Sequence, residues 1–177
     1  ALSKYVKKVA FQEPPYTTSI DLVNHIKEVT PDSLNYLIKD MFETITLYQN
    51  RVVETKSEKL DNGKYKVDIE FKVSKYRNNE KGRAFYGEEE RDSITYQSDD
   101  MKKPEYSVFL KDYIDIGIFG EDNDEKEIEL YLKKHKISKI HNKISIIVDQ
   151  EPIEVGIDPY NKLIDTNSED NRMKIEK

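Results

Sequence analysis

The sequence contains no cysteine, only three histidines and six glycines, no long apolar run and no surplus of positive charge. Each shortage removes a class of chemistry. Without cysteine there are no disulfides, no thiolate nucleophile and no thiolate-bound zinc. Lys and Arg total 29 against 35 Asp and Glu, a formal net charge of -6. A duplex-binding protein needs excess cations to neutralise phosphates, so nucleic acid is excluded as the default partner. No stretch of 18 or more apolar residues occurs, so no segment of the 177 residues reads as a membrane span, and the chain by itself reads as soluble. Gly-x-Ser-x-Gly and phosphate-loop patterns are both missing.

What is present is charge and aromatic side chains. Charged residues make up 36%, mean hydropathy is -0.82, and there are 12 Tyr and 6 Phe. The apolar residues are patterned, which argues for a folded chain. Leu2, Val6, Val9 and Ala10 share a helical stripe that Pro14-Pro15 is expected to end. Thr18-Ser19-Ile20-Asp21 has capping-box spacing ahead of a second stripe, Ile20, Val23, Ile26 and Val29. Thr30-Pro31-Asp32 reads as a third helix start, with Thr30 as N-cap and Pro31 at the first helical position. Leu34, Leu37, Ile38, Met41, Phe42 and Ile45 then recur at helical spacing.

From about Thr46 the period changes to that of strands. Val52-Val53 leads into a first strand and Asn62-Gly63 signals a hairpin. Tyr65, Val67, Ile69, Phe71 and Val73 alternate with polar residues. So do Ile114, Ile116 and Ile118; Ile128, Leu130 and Leu132; and Ile144, Ile146 and Val148, after which Pro152 closes the run. Residues 77–103 read as a long hairpin arm or loop. The fold class is therefore α+β: N-terminal helices followed by an antiparallel Ig-like β-sandwich. The expected organisation is a helical segment over 1–50 that closes a larger domain, a β-sandwich over 51–165 and a frayed polar tail over 166–177. The opening residues read as the middle of a longer polypeptide.

Four groups carry potential chemistry. His25 and Glu28 lie three apart on a helix, but an inverted zinc motif needs a second histidine where Val29 stands, so His25 reads as a helix-surface residue. His135 and His141 sit among lysines that repel a cation. The acidic run Gly120 to Glu125, with Asp122 and Asp124, has the oxygen donors calcium prefers, yet not the register of an EF-hand loop; a solvated hairpin tip is the simpler reading. Glu88, Glu89 and Glu90, within Tyr86 to Asp92, offer adjacent carboxylates, which do acid–base work only where burial separates their pKa values. The tyrosines serve more simply as amphipathic core-edge residues than as a stacking platform. No catalytic, cofactor-binding or metal-ligating residue is assigned, and no cofactor is expected within this chain.

Two segments carry a resemblance. AFQEPPYTTSIDLVNHIKEVTPDSLNYLIKDMFETITLYQNRV is similar to the closing helices of an aminopeptidase N-like (gluzincin) zinc peptidase unit, of the kind fused to ABC-transporter permease segments in bacterial membrane proteins. EPIEVGIDPYNKLIDTNSEDNR resembles the segment that follows the last strand of the Ig-like domain in the same proteins. The resemblance implies a noncatalytic C-terminal scaffold that braces an upstream peptidase domain of the same polypeptide, with membrane association only through that parent and zinc only in the parent. The family's His-Glu-x-x-His pair, downstream Glu ligand and tyrosine match no position here. A scaffold of this kind is expected to expose an apolar stripe at Leu34, Leu37, Met41 and Phe42 and to self-associate through it. In the Gly156 to Asp165 segment, Gly156 is expected to take a tight conformation and Asp158 to bond the backbone two residues on, forming a structural lock. The alternatives are an independent Ig-like module that binds a protein or peptide through a sheet edge, and a calcium-stabilised adhesion-like module using Asp122 and Asp124.

Overall fold

A computed structural model describes residues 2–10, 14–78, 81, 84–86, 89–90 and 110–176. The chain divides into two units, Ala1–Thr46 and Leu47–Lys177.

The first unit is helical. Helix α1 spans Leu2–Val9, with Lys7 and Lys8 in its last turn where cations complement the helix dipole. Helix α2 spans Ser19–Val29. Thr18 caps it: its N–H and its hydroxyl both donate to the Asp21 carboxylate, at 2.7 and 2.8 Å. Those two bonds hold the Asp21 carboxyl below the usual range. Thr30 has a different role from the expected one. Its hydroxyl donates to the Ile26 carbonyl at 2.7 Å, so it closes α2 and does not open the next helix. The third stripe is built in three pieces: a 3-10 turn at Asp32–Leu34, helix α3 at Asn35–Ile38 and a π turn at Lys39–Glu43. The wide last turn is fixed by the Thr44 hydroxyl, which donates to the carbonyl of Lys39 five residues back.

The described residues form nine strands: β1 (Ile45–Lys59), β2 (Tyr65–Asn78), β3 (Ala84–Tyr86), β4 (Glu89–Glu90), β5 (Asp112–Glu121), β6 (Glu127–Ile137), β7 (His141–Val148), β8 (Glu154–Ile157) and β9 (Arg172–Lys174). Strand β1 begins at Ile45, so the end of the segment that read as helical is already extended. Gly63, at φ 81°, turns β1 into β2. One sheet runs β1-β2-β3-β4, with β7 also paired to β2; the other runs β6-β5-β8-β9. The second sheet is antiparallel at each junction, with a bulge between Ile118 and Phe119. This is the expected fold class, N-terminal helices followed by an antiparallel β-sandwich.

Alternation explains the core. Val67, Ile69, Phe71 and Val73 of β2 meet Ile114, Ile116 and Ile118 of β5, with Val148, Val155 and Ile157 completing one buried cluster.

Pro152 lies just past the end of β7, as expected, and β8 and β9 follow it. One other expectation changes. The supposed frayed tail is ordered: β9 pairs with β8, Asn171 is buried, and Ile175 N–H reaches the Ile153 carbonyl at 2.8 Å. Strands of three or four residues are too short to show a period, and a paired neighbour supplies what the local sequence lacks. Of the 77–103 segment, β2 runs through Asn78 and pairs Arg77 with Phe85 of β3, which pairs in turn with β4; residues 91–103 lie outside the described residues. No helix among the described residues is long and apolar enough to cross a membrane.

Candidate functional site

The histidines stay apart. Half-buried His25 bonds the Asp21 carbonyl through Nδ1 at 2.9 Å and meets the Tyr5 ring edge-on at 5.3 Å, while Glu28 is exposed. His135 on β6 pairs its Nε2 with the Tyr131 hydroxyl at 2.7 Å; burial, with the Lys133 charge, pushes its pKa down. His141 begins β7 in the other sheet, exposed and opposite Lys72. Among the described residues no group of three or more His, Asp or Glu side chains converges on a point that holds a metal ion.

The acidic run is a self-contained turn. One Asp122 carboxylate oxygen accepts the backbone N–H groups of Asp124 and Lys126, both at 2.9 Å, and Glu125 takes a positive φ of 60°. Tyr86, Glu89 and Glu90 belong to the short β3–β4 hairpin; Gly87, Glu88, Arg91 and Asp92 lie outside the described residues.

The most elaborate local structure is Gly156 to Asp165, and it is a clasp. After β8 the chain turns at Asp158, held at φ 44° with its side chain buried. The Asp158 carboxylate accepts the N–H groups of Lys162 and Leu163 at 3.0 and 2.8 Å, four and five residues on where two was expected. Burial, with the neighbouring Asp115 charge, raises its pKa above the ordinary aspartate value. Lys162 in turn donates to Asp115 at 2.7 Å. Gly156 is needed for space and not for a turn: a Cβ there would lie 2.9 Å from Pro159 Cβ. Gly117 of β5 is under the same proline, so Pro159 lies directly on the outer face of the second sheet.

The clasp then reaches the first sheet. Tyr48 N–H donates to the Ile164 carbonyl at 2.9 Å, and Thr166 N–H returns to the Tyr48 carbonyl at 3.0 Å. Asp165 accepts from Asn50 N–H and Asn167 N–H at 2.9 and 3.0 Å; its pKa is raised by burial, and the Asp170 charge adds to this. With its amide nitrogen turned toward them, Asn171 donates to the Asn50 carbonyl at 2.9 Å. One segment thus covers one sheet, pins the edge of the other and returns as β9. Arg172 finishes it, bridging Glu127 and Glu154 with its guanidinium 4.2 Å from the Phe119 ring centroid.

A buried polar cluster went unread in the sequence. Lys75 and Asp112 form an ion pair between the sheets, and Tyr48 donates its hydroxyl to Asp112 at 3.0 Å. The signal was available. Lys75 continues the inward series 67, 69, 71, 73, and Asp112 precedes the inward series 114, 116, 118, so alternation placed a lysine and an aspartate at core positions.

The helical unit presents the opposite picture. Among its described residues, Ile38 is the one buried apolar side chain. Leu2, Ile20 and Met41 are exposed to 66%, 67% and 70%, and Val6, Val29 and Phe42 are exposed as well. Of the expected stripe, Met41 and Phe42 face solvent while Leu34 and Leu37 are half-buried. Compared with known proteins, the chain matches no family model, no curated protein and no solved structure.

Proposed function

We propose that this chain is a noncatalytic scaffold region whose helices dock on a larger domain, with the β-sandwich bracing that domain. The observation that carries the reading is the apolar surface of the helical unit, which leaves Leu2, Val6, Ile20, Val29, Met41 and Phe42 in water. Large apolar side chains exposed on α1, α2 and the π turn of one small unit favour a docking role for it. The resemblance of the two quoted segments to a permease-fused, aminopeptidase N-like protein supplies the identity of the docked domain: an upstream zinc peptidase-like unit of the same polypeptide, membrane-linked through its permease helices. The zinc and any peptidase chemistry belong to that unit.

The test is to translate the reading frame upstream of Ala1 and to express the chain with whatever it encodes. The expected frame contains His-Glu-x-x-His and long apolar runs, and the upstream domain protects the amides of α2 and α3 from hydrogen exchange. A frame with neither feature would overturn the family reading, and unchanged exchange would overturn the docking.

A further inference from the structure

Strand β1 is the outer strand of its sheet. Its inner side pairs with β2, and among the described residues its outer side is engaged near its start, where Tyr48 meets the 164–166 segment and Asn50 N–H meets Asp165. Among the described residues nothing pairs with the outer side from Val52 to Lys59. That is about 26 Å of open backbone at 3.3 Å per residue. The space beside it is a groove of about 820 Å³ lined by β1 from Val53 to Glu58, by Asp68 of β2, and by Met173, Lys174 and Glu176.

Proteins commonly blunt such an edge with lysine, whose single sign repels a second copy. Here the signs alternate: Glu54, Lys56, Glu58, Lys59. Two copies laid antiparallel about a two-fold axis through Thr55 set Glu54 of each against Lys56 of the other. Axes through Glu54 or Lys56 set like charges face to face. Within one copy Glu54 and Lys56 are already paired at 2.6 Å, with Lys143 acting on Glu54 and Asp68 on Lys56. Adding the second copy closes a square of four alternating charges, and it places two threonines opposite each other across the axis, a favourable cross-strand pair.

We propose that the edge of β1 from Val52 to Lys59 is a docking surface for a second copy of this chain. The two copies join antiparallel about Thr55 in a self-complementary, two-fold contact that merges their β1-β2-β7 sheets into one.

The experiment is sedimentation equilibrium of the full chain, with circular dichroism to verify folding. Wild type is expected to be dimeric. Glu54→Lys alone and Lys56→Glu alone are each expected to dissociate at least tenfold more readily, because each sets like charges across the axis. An equimolar mixture of the two variants is expected to regain the dimer, since every altered charge then faces its opposite. Met41→Ser with Phe42→Ser is expected to leave the mass unchanged. A monomeric wild type would overturn the proposal, leaving the edge free for an extended peptide. A dimer that survives both single reversals, a mixture that does not associate, or a dimer lost with Met41 and Phe42 would overturn it equally.

Discussion

Lys75 and Asp112 face each other across the two sheets, with the lysine Nζ 3.1 Å from both carboxylate oxygens and the side chains 1% and 4% exposed. A pair so buried ties the registers of β2 and β5 together, since slipping either strand by one residue would bury a lone charge. Removing one partner is therefore far more damaging than removing both. Lys75→Met is expected to destabilise the chain by about 3–5 kcal/mol in denaturant unfolding. Lys75→Met combined with Asp112→Leu is expected to recover most of that loss. Equal destabilisation by the single and double variants would show that the pair is not the cause.

Gly156→Ala tests the clasp. The added methyl meets Pro159 at 2.9 Å and the Arg172 side chain at 3.2 Å, in a place where neighbours are backbone-anchored. A loss of about 1–3 kcal/mol is expected from overpacking, read as a lowered Tm. Gly63→Ala is a useful contrast, because nothing lies near its Cβ and its cost comes from the positive φ alone.

Asp158 gives the pH dependence a sign. Burial raises its folded-state pKa above the unfolded value, so the folded chain binds this proton more tightly. The resulting stability is fully present below about pH 3.9 and is lost as pH rises through the folded-state pKa. Asp158→Asn breaks a backbone contact at every pH and also removes the titration. The stability difference between wild type and variant is therefore expected to be widest in acid and to narrow as pH rises, measured by urea unfolding across pH 3 to 7. A gap that widens with pH would reverse the assignment.

Asp122 serves its own turn, accepting two backbone N–H groups. Asp122→Ala is expected to cost about 1 kcal/mol whether or not calcium is present. Millimolar calcium is expected to leave the wild-type Tm unchanged. A calcium-dependent rise that Asp122→Ala abolishes would establish the adhesion-like reading instead.

Much of the sandwich was legible because alternation is a local property. Tyr65 to Val73, Ile114 to Ile118 and Ile144 to Val148 declare their inward faces within five to nine residues, because successive side chains of a strand point to opposite faces. Thr18 and Asp21 declare a helix start within one turn. Lys75 and Asp112 are equally visible as charges at inward positions, but alternation gives only the face of each and not the partner across the sandwich. The third helical stripe misled because Thr30 suits either end of a helix: its hydroxyl found the Ile26 carbonyl before it found a following turn.

The sequence by itself determined the order of helices and strands, the cysteine-free chemistry and the inward set of the long strands, all consequences of spacing between near neighbours. Only the tertiary structure decided that Lys75 meets Asp112 37 residues on, that Asp165 reaches back 115 residues to Asn50, and that a tail of polar residues returns as β9. Those contacts join segments whose own sequence carries no preference strong enough to form them. Their free energy comes from satisfying buried polar groups across the sandwich, which exists only once both sheets are in place.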